Sequence, residues 1–363
     1  VSVWAAVVVG VAGAALVIAT VTSAVQTVVV PRGTPVIITR WVFVAVGTAF
    51  QLVARRSGES RRDRLLAALS PVALLTLVGA WLVLLLAGFT AVQWSLGAHP
   101  VRQAFTVSGS SLFTLGFDVP HSLPSVVAAF AEAALGLGVV ALLISYLPAI
   151  YSTYSRRESA VTALETFAGS PPSAVTLLVR VGQIKGVDEL DELFERWRVW
   201  FGELEETHSS NPSLVFFRSP QPTRSWVSAA GTVLDTAAFV ASTVDGPPVP
   251  EADLVIRAGY LALRRIADYF AMPYDPDPAP GDPIAVTRAE YDQACAAIEA
   301  AGVPLRHDRD AAWASFSGWR VNYDVVLRSF ASLISAPKAP WSSDRPEPFR
   351  RAPLRRKNAR ARL

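Results

Sequence analysis

Leu65–Leu96 reads LLAALSPVALLTLVGAWLVLLLAGFTAVQWSL, a run without one charged residue. A bilayer's hydrocarbon core is crossed by about 20 apolar residues of α-helix, so this stretch fixes a membrane-spanning class with residues to spare. Outward from it the same character recurs. Val1–Pro31 carries no charge; Val36–Val53 carries one, Arg40, in its first turn where an arginine reaches the interface; Pro124–Ile150 carries one, Glu132. Four spans are expected. Val3–Val30 is too long for a signal-peptide core and lacks a basic start and a clear cleavage motif, so it is expected to be retained.

Composition excludes a single water-soluble globule: 52% of the 363 residues are hydrophobic and 17% charged, against about 25% charged in soluble domains. Cys295 is the lone cysteine, which excludes an intrachain disulfide and a zinc knuckle. The net charge of +3 hides three zones. Residues 1–150 hold eight arginines and four acids, residues 151–335 hold 16 basic and 24 acidic residues, and residues 336–363 hold nine basic and two acidic. The basic character is therefore a tail effect and gives no argument for nucleic acid.

Ala54–Arg64 holds five arginines, which places it in the cytoplasm. Alternation over four spans then puts both termini inside the cell and the 31–35 and 97–123 segments outside; Arg156 and Arg157 agree. A multi-pass cell-membrane protein is expected.

The informative segment is Val101–Pro120, VRQAFTVSGSSLFTLGFDVP, between the third and fourth spans. Its length suits a helix of roughly three turns followed by an extended limb. Irregular backbone at membrane depth is tolerated only where protein buries it or where it lines a watery cavity. Here the chain resembles the pore domain of the potassium channel family, over roughly residues 65–150, in the arrangement of two helices and a pore loop. The family filter reads T-x-G-Y/F-G-D, and this chain has Thr114-Leu115-Gly116-Phe117-Asp118. The resemblance implies rings of backbone carbonyls replacing a cation's hydration shell, with the Thr114 hydroxyl as innermost ring. Gly116 supplies dihedrals that a Cβ would oppose. Phe117 is expected to pack outward against the pore helix. The second filter glycine is missing; Asp118 follows Phe117 directly, or stands in the glycine's place by accepting positive φ.

One pore loop cannot enclose an ion, so the resemblance implies a homotetramer conducting K⁺ passively, without a cofactor or a metal beyond the permeant ion. Pro124–Ala141 would be the inner helix. Gly136 and Gly138 near its middle stand where family members bend to gate; alternatively they, with Ala134, allow close helix packing. Glu132 is expected to bond the back of the loop, where Ser108, Ser110 and Ser111 offer hydroxyls, or else to meet water at the outer interface. His99 and His121 bracket the loop as solvated residues.

From Tyr151 the pattern turns to soluble helices. Helical spacing marks Val187–Glu206, Trp226–Val244, Ala252–Met272, Arg288–Ala301 and Ala311–Ile334, and no strand alternation stands out. His208 and His307 stand alone, and Trp197, Trp200 and Phe201 read as core. No phosphate-binding glycine loop, metal spacing or nucleophile–base pair is present in the sequence, so no enzyme is expected. The division reads 1–64 for two spans and a basic loop, 65–150 for the pore domain, 151–335 for a cytosolic α-helical domain, and 336–363 for a disordered basic tail that contacts anionic lipid or else pairs with the acidic body. A membrane-anchored sensor or signalling scaffold with a non-conducting pore is the alternative.

Overall fold

The computed structural model describes residues 2–28, 37–55, 58–184, 189–345 and 347. Among them the chain is all-helical, with no strand and a single isolated bridge, Val244–Leu305. It divides into two compact units, Val1–Thr153 and Tyr154–Leu363.

The first unit holds α1 (Val3–Val28), α2 (Ile37–Arg55), α3 (Glu59–Ser95), α4 (Val101–Leu112) and most of α5 (Leu123–Ala168). Among the described residues three helices are long and apolar enough to cross a membrane: α1, the Ala68–Ser95 part of α3, and α5. In α2 the apolar run is shorter, Trp41–Phe50.

Small residues let α1 and α3 approach closely. A Cβ on Gly10 would stand 2.5 Å from Ser95 Oγ, and one on Gly13 would stand 2.5 Å from the Gly88 carbonyl oxygen. Further along, Trp81 Nε1 donates to Ser23 Oγ at 3.2 Å. Positions rise in α1 as they fall in α3, so the two helices are antiparallel. Alternation over four spans requires them to be parallel. The expected four-span order is therefore corrected for this pair.

The position of α2 explains why. Thr27 and Thr39 share a hydroxyl hydrogen bond of 2.8 Å, tying the end of α1 to the start of α2. Ile38, Val42 and Phe43 pack on the cluster that holds Leu77, Val78 and Trp81. The far end of α2, Arg55, is four positions before the start of α3 at Glu59. Thus α1 and α2 follow one another along α3, α1 on its second half and α2 on its first. The side chains of Arg40, Arg55, Arg61, Arg62 and Arg64, like all of Arg56, lie outside the described residues, so the expected cytoplasmic placement of that basic segment rests on sequence alone.

The second unit holds the last turns of α5, then α6 (Ala174–Ile184), α7 (Glu189–Ser210), a 3-10 turn (Pro212–Phe216), α8 (Trp226–Ser242), α9 (Pro250–Tyr269), α10 (Arg288–Ala300), α11 (Arg309–Arg320) and α12 (Asp324–Leu333). Apolar on nearly every side, α8 is buried along almost its whole length, as a helix without a polar face must be. Its start is fixed by Ser225, whose hydroxyl accepts from the Val227 N–H. Trp197, Trp200 and Phe201 are buried in the core. The expected helix Ala311–Ile334 is two helices. Asn322 Nδ2 donates to the Gly318 and Trp319 carbonyls and ends the first, while Arg264 takes up the Asn322 carbonyl.

Buried Arg320 and half-buried Arg345 tie the end of this unit together. Arg320 binds Asp235, Asp324 and the Trp341 carbonyl, and Tyr323 Oη donates to Asp235 at 2.8 Å. Trp341 stacks beside Phe239 and meets Phe316 edge-on. Arg345 forks onto both oxygens of Glu290 at 2.7–2.9 Å and holds that carboxyl down to about 2. The disordered tail expected from residue 336 is accordingly corrected as far as Arg345: apolar Ala339 and Trp341 anchor that stretch to the core. The basic run from Arg350 onward, and the lipid contact expected of it, lie outside the described residues.

Arg157, which the sequence offers only as part of a cytoplasmic basic flank, is buried. It donates to the carbonyls of Leu214 (2.9 Å) and Phe217 (2.5 Å) and to Glu158, and it faces His208 Nε2 at 3.1 Å. An arginine has only donors, so His208 Nε2 accepts and the ring is neutral. Burial first, then the Arg157 charge, pushes the His208 pKa well below its ordinary value.

The sign follows. Above about pH 6.5 both folded and unfolded His208 are neutral; below it the unfolded chain takes a proton that the folded one refuses. Between pH 7 and pH 5 the unit is therefore expected to lose stability from this residue. Urea unfolding at both pH values checks it, and His208→Gln should remove that part of the pH slope. An unchanged slope in the variant would exclude His208 as the source.

Candidate functional site

Pro100 opens α4, supplying a rigid extended entry and a missing N–H where none is needed. The helix then runs back alongside its neighbours. Ser108, fully buried, touches the Leu86 carbonyl on α3 (3.3 Å) and the Glu132 carboxylate on α5. Four residues on, Leu112 abuts Gly136: a Cβ there would collide with the Leu112 carbonyl oxygen. Gly136 is 13 positions into α5 from Leu123, about 20 Å along the axis at 1.5 Å per residue. The tip of α4 is thus deep between two long apolar helices, not at their ends.

From that tip the chain turns sharply. Leu115 N–H bonds the Ser110 carbonyl at 2.8 Å and Thr114 N–H bonds the Ser111 carbonyl at 3.1 Å, the paired bonds of a Schellman C-cap. Such a cap needs a left-handed residue after the cap position. Here it is Thr114, at φ 54°, followed two residues later by Gly116 at φ 72°. A β-branched residue in that region stores about 1–3 kcal/mol of strain, which is typical of functional sites. Asp118 does not take the left-handed conformation that a glycine substitute would show; Thr114 carries it instead.

The limb then climbs back along α4. Asp118 N–H donates to Ser110 Oγ at 3.1 Å, and Thr106 Oγ1 donates to Asp118 Oδ2 at 2.5 Å. Between the two fixed ends, no group among the described residues donates to the carbonyls of Thr114, Leu115, Gly116 or Phe117. Four consecutive backbone oxygens thus have no donor, on residues that are exposed in the single chain.

The polar support divides by role. Ser108, not Ser110 or Ser111, meets Glu132; Ser110 holds Asp118; Ser111 bonds its own helix at the Val107 carbonyl. Glu132 is fully buried, so the water-facing alternative is corrected, and its Oε2 is buried without a partner among the described residues. A second pair, Gln93 with Ser125, joins α3 to the start of α5 through the Ser125 hydroxyl and carbonyl. Sequence reading missed it, although Gln93 is the one amide in the Leu65–Leu96 run.

Phe117 is 66% exposed and does not pack on its own α4, which corrects that expectation for the single chain. Phe113 and Leu115 are exposed as well. Gly136 serves close approach, whereas Gly138 is exposed with open space around its Cα. His99 and His121 are exposed. Among the described residues no cluster of three or more His, Cys, Asp or Glu could hold a metal.

No protein-family model, curated protein or solved structure matches this chain. Its function is therefore argued from the site itself.

Proposed function

We propose that the chain forms a homotetrameric, potassium-preferring cation channel of the potassium channel type, in which Thr114–Phe117 is the ion path. The observation that carries this reading is the row of open carbonyls on a limb held about 20 Å along α5 from its start. Carbonyl oxygens at membrane depth with no donor are costly unless something replaces it. A dehydrated cation does so, and rings of such oxygens are how selective pores bind ions. The Thr114 hydroxyl adds the innermost ligand.

One limb offers one side of a cage. Four copies about an axis close it, and the exposed Phe113, Leu115 and Phe117 are apolar surface that such a closure would cover. Glu132 and Ser108, with Gln93 and Ser125, brace the loop against α3 and α5. Absence of the second glycine removes the outermost site, so discrimination of K⁺ against Na⁺ is expected to be weaker than a full filter gives.

With the arginine-rich 54–64 segment in the cytoplasm, α3 runs outward and the loop opens outside. The antiparallel α1 then begins outside too. Only the C-terminal end keeps the cytoplasmic placement expected for both.

Gly116→Val tests the reading. A β-branched side chain at φ 72° distorts the limb, and K⁺ flux into liposomes holding the full chain is expected to fall by about 10-fold or more. Unchanged flux would remove Thr114–Phe117 from the path. A sensor or scaffold with a closed pore is the reading left if folded wild-type chain carries no flux.

A further inference from the structure

We propose that Glu132 is a proton-binding site behind the loop: it keeps its proton at neutral pH, donates it to Ser108 Oγ, and so clasps α4 to α5 as a neutral acid. The count of protons carries the inference. Ser108 Oγ lies 3.3 Å from the Leu86 carbonyl oxygen and in contact with Glu132 Oε1. A serine hydroxyl has one proton to give and two lone pairs to receive with, and a carbonyl oxygen only accepts. With Glu132 as a carboxylate, two acceptors compete for one proton. With Glu132 as the acid, the three groups form one consistent chain. Glu132 O–H donates to Ser108 Oγ, and Ser108 O–H donates to the Leu86 carbonyl on α3.

The surroundings agree. Glu132 is fully buried, nine positions into α5 from Leu123, about 14 Å along the axis. Its Oε2 meets no donor among the described residues, and an unpartnered oxygen costs far less on a neutral acid than on a carboxylate. No cation faces it either. Neither α1 nor the Leu65–Ser95 part of α3 carries a titratable residue, and Glu132 is the one such residue between Leu123 and Ser145. On α4 there is only Arg102, exposed and six positions before Ser108, while His99 and His121 are exposed beyond the helix ends. The limb offers Asp118, an acid, already taken up by Thr106 and Ser110. A buried carboxyl that nothing neutralises holds its proton.

Loss of that proton strands a charge among α3, α4 and α5 and breaks the chain through Ser108. The helix that supports Thr114–Phe117 then loses its polar hold, four residues before Leu112 meets Gly136. Alkaline pH is therefore expected to loosen the loop. This effect on flux rests on the conduction reading; the proton on Glu132 does not.

Infrared spectroscopy of the full chain in liposomes reads the proton directly. At about pH 7, where exposed acids are ionised, the wild type is expected to show the carbonyl stretch of a protonated carboxyl. Glu132→Gln should lose it, while its amide still offers Ser108 a donor. Any band from the buried Asp235 or Asp324 is common to both proteins and cancels in the difference. A spectrum without a difference band would overturn the proposal. Should the glutamine variant fold poorly, Ser108→Ala serves instead: it removes the acceptor of the Glu132 proton, so the same band should shift, and an unmoved spectrum would overturn the proposal too. K⁺ flux supplies the second arm. Between about pH 7 and about pH 10, wild-type flux is expected to fall about fivefold more than Glu132→Gln flux. Equal pH dependence in the two would overturn the clasp. Folded wild-type chain that shows the band and carries no flux would refute conduction and leave the proton site standing.

Discussion

Replacing Arg320 by alanine is expected to destabilise the second unit by about 3–5 kcal/mol, a large share of the roughly 5–15 kcal/mol that holds a domain folded. The reason is what remains. Asp235 and Asp324 are almost fully buried, and Arg320 is the guanidinium between them. Burial already raises the Asp235 pKa with the arginine present; without it Asp235 must protonate or open the core to water, while Asp324 keeps only Arg328 and the Ala285 N–H. The Trp341 carbonyl loses its donor as well, so the 337–345 segment should loosen. Arg288→Ala is the matched control. It removes ion pairs to Asp292 and Asp310 on the surface, where such pairs contribute little to stability. Urea unfolding of both variants measures the difference; equal losses would contradict the buried-cluster account.

The second large effect separates two neighbouring glycines. Gly136→Ala drives a methyl into the Leu112 backbone carbonyl, which has no rotamer to escape through, so the end of α4 must move. Overpacking of this kind costs about 1–3 kcal/mol, and a displaced Schellman turn shifts Thr114–Phe117 with it. K⁺ flux is expected to fall by about 10-fold, because ion coordination tolerates little displacement. Gly138→Ala meets nothing within 4 Å and should change flux less than about twofold, the substitution favouring helix by about 1 kcal/mol. Similar losses in both variants would favour a hinge over packing. The flux assay on liposomes reads both.

The long apolar helices, the loop between α3 and α5 and the helical second unit are all legible, because uncharged runs and 3.6-residue spacing mark apolar helix faces directly. Direction was not. Hydropathy counts apolar residues without saying which neighbour they meet, so Val36–Val53 read as a span and α1 as parallel to α3. The signal lay in Gly10, Gly13 and Gly88, whose contacts fix the antiparallel order. Within the site, a serine's partner depends on its rotation about α4. That is why Glu132 could be assigned to the loop while Ser108 could not be chosen over Ser110 or Ser111. Phe117 illustrates a different limit: a filter-like motif does not say that its aromatic side chain stays exposed in the single chain. In the second unit, proline and arginine density hid Ala339 and Trp341, two apolar residues that suffice to hold the segment down.

If the loop is an ion path, its bracing should matter more than its exposed side chains. The open carbonyls, the strained Thr114 and the buried Ser108–Glu132 contact all belong to one short turn.

The central claim is that this turn carries cations, and the most direct measurement is flux through wild-type protein. Liposomes loaded with K⁺ and reconstituted with the full chain, its fold confirmed by helical circular dichroism, should discharge well above protein-free liposomes, with Na⁺ passing more slowly. Discharge no faster than the protein-free control, from chain shown to be folded and inserted, would contradict the account.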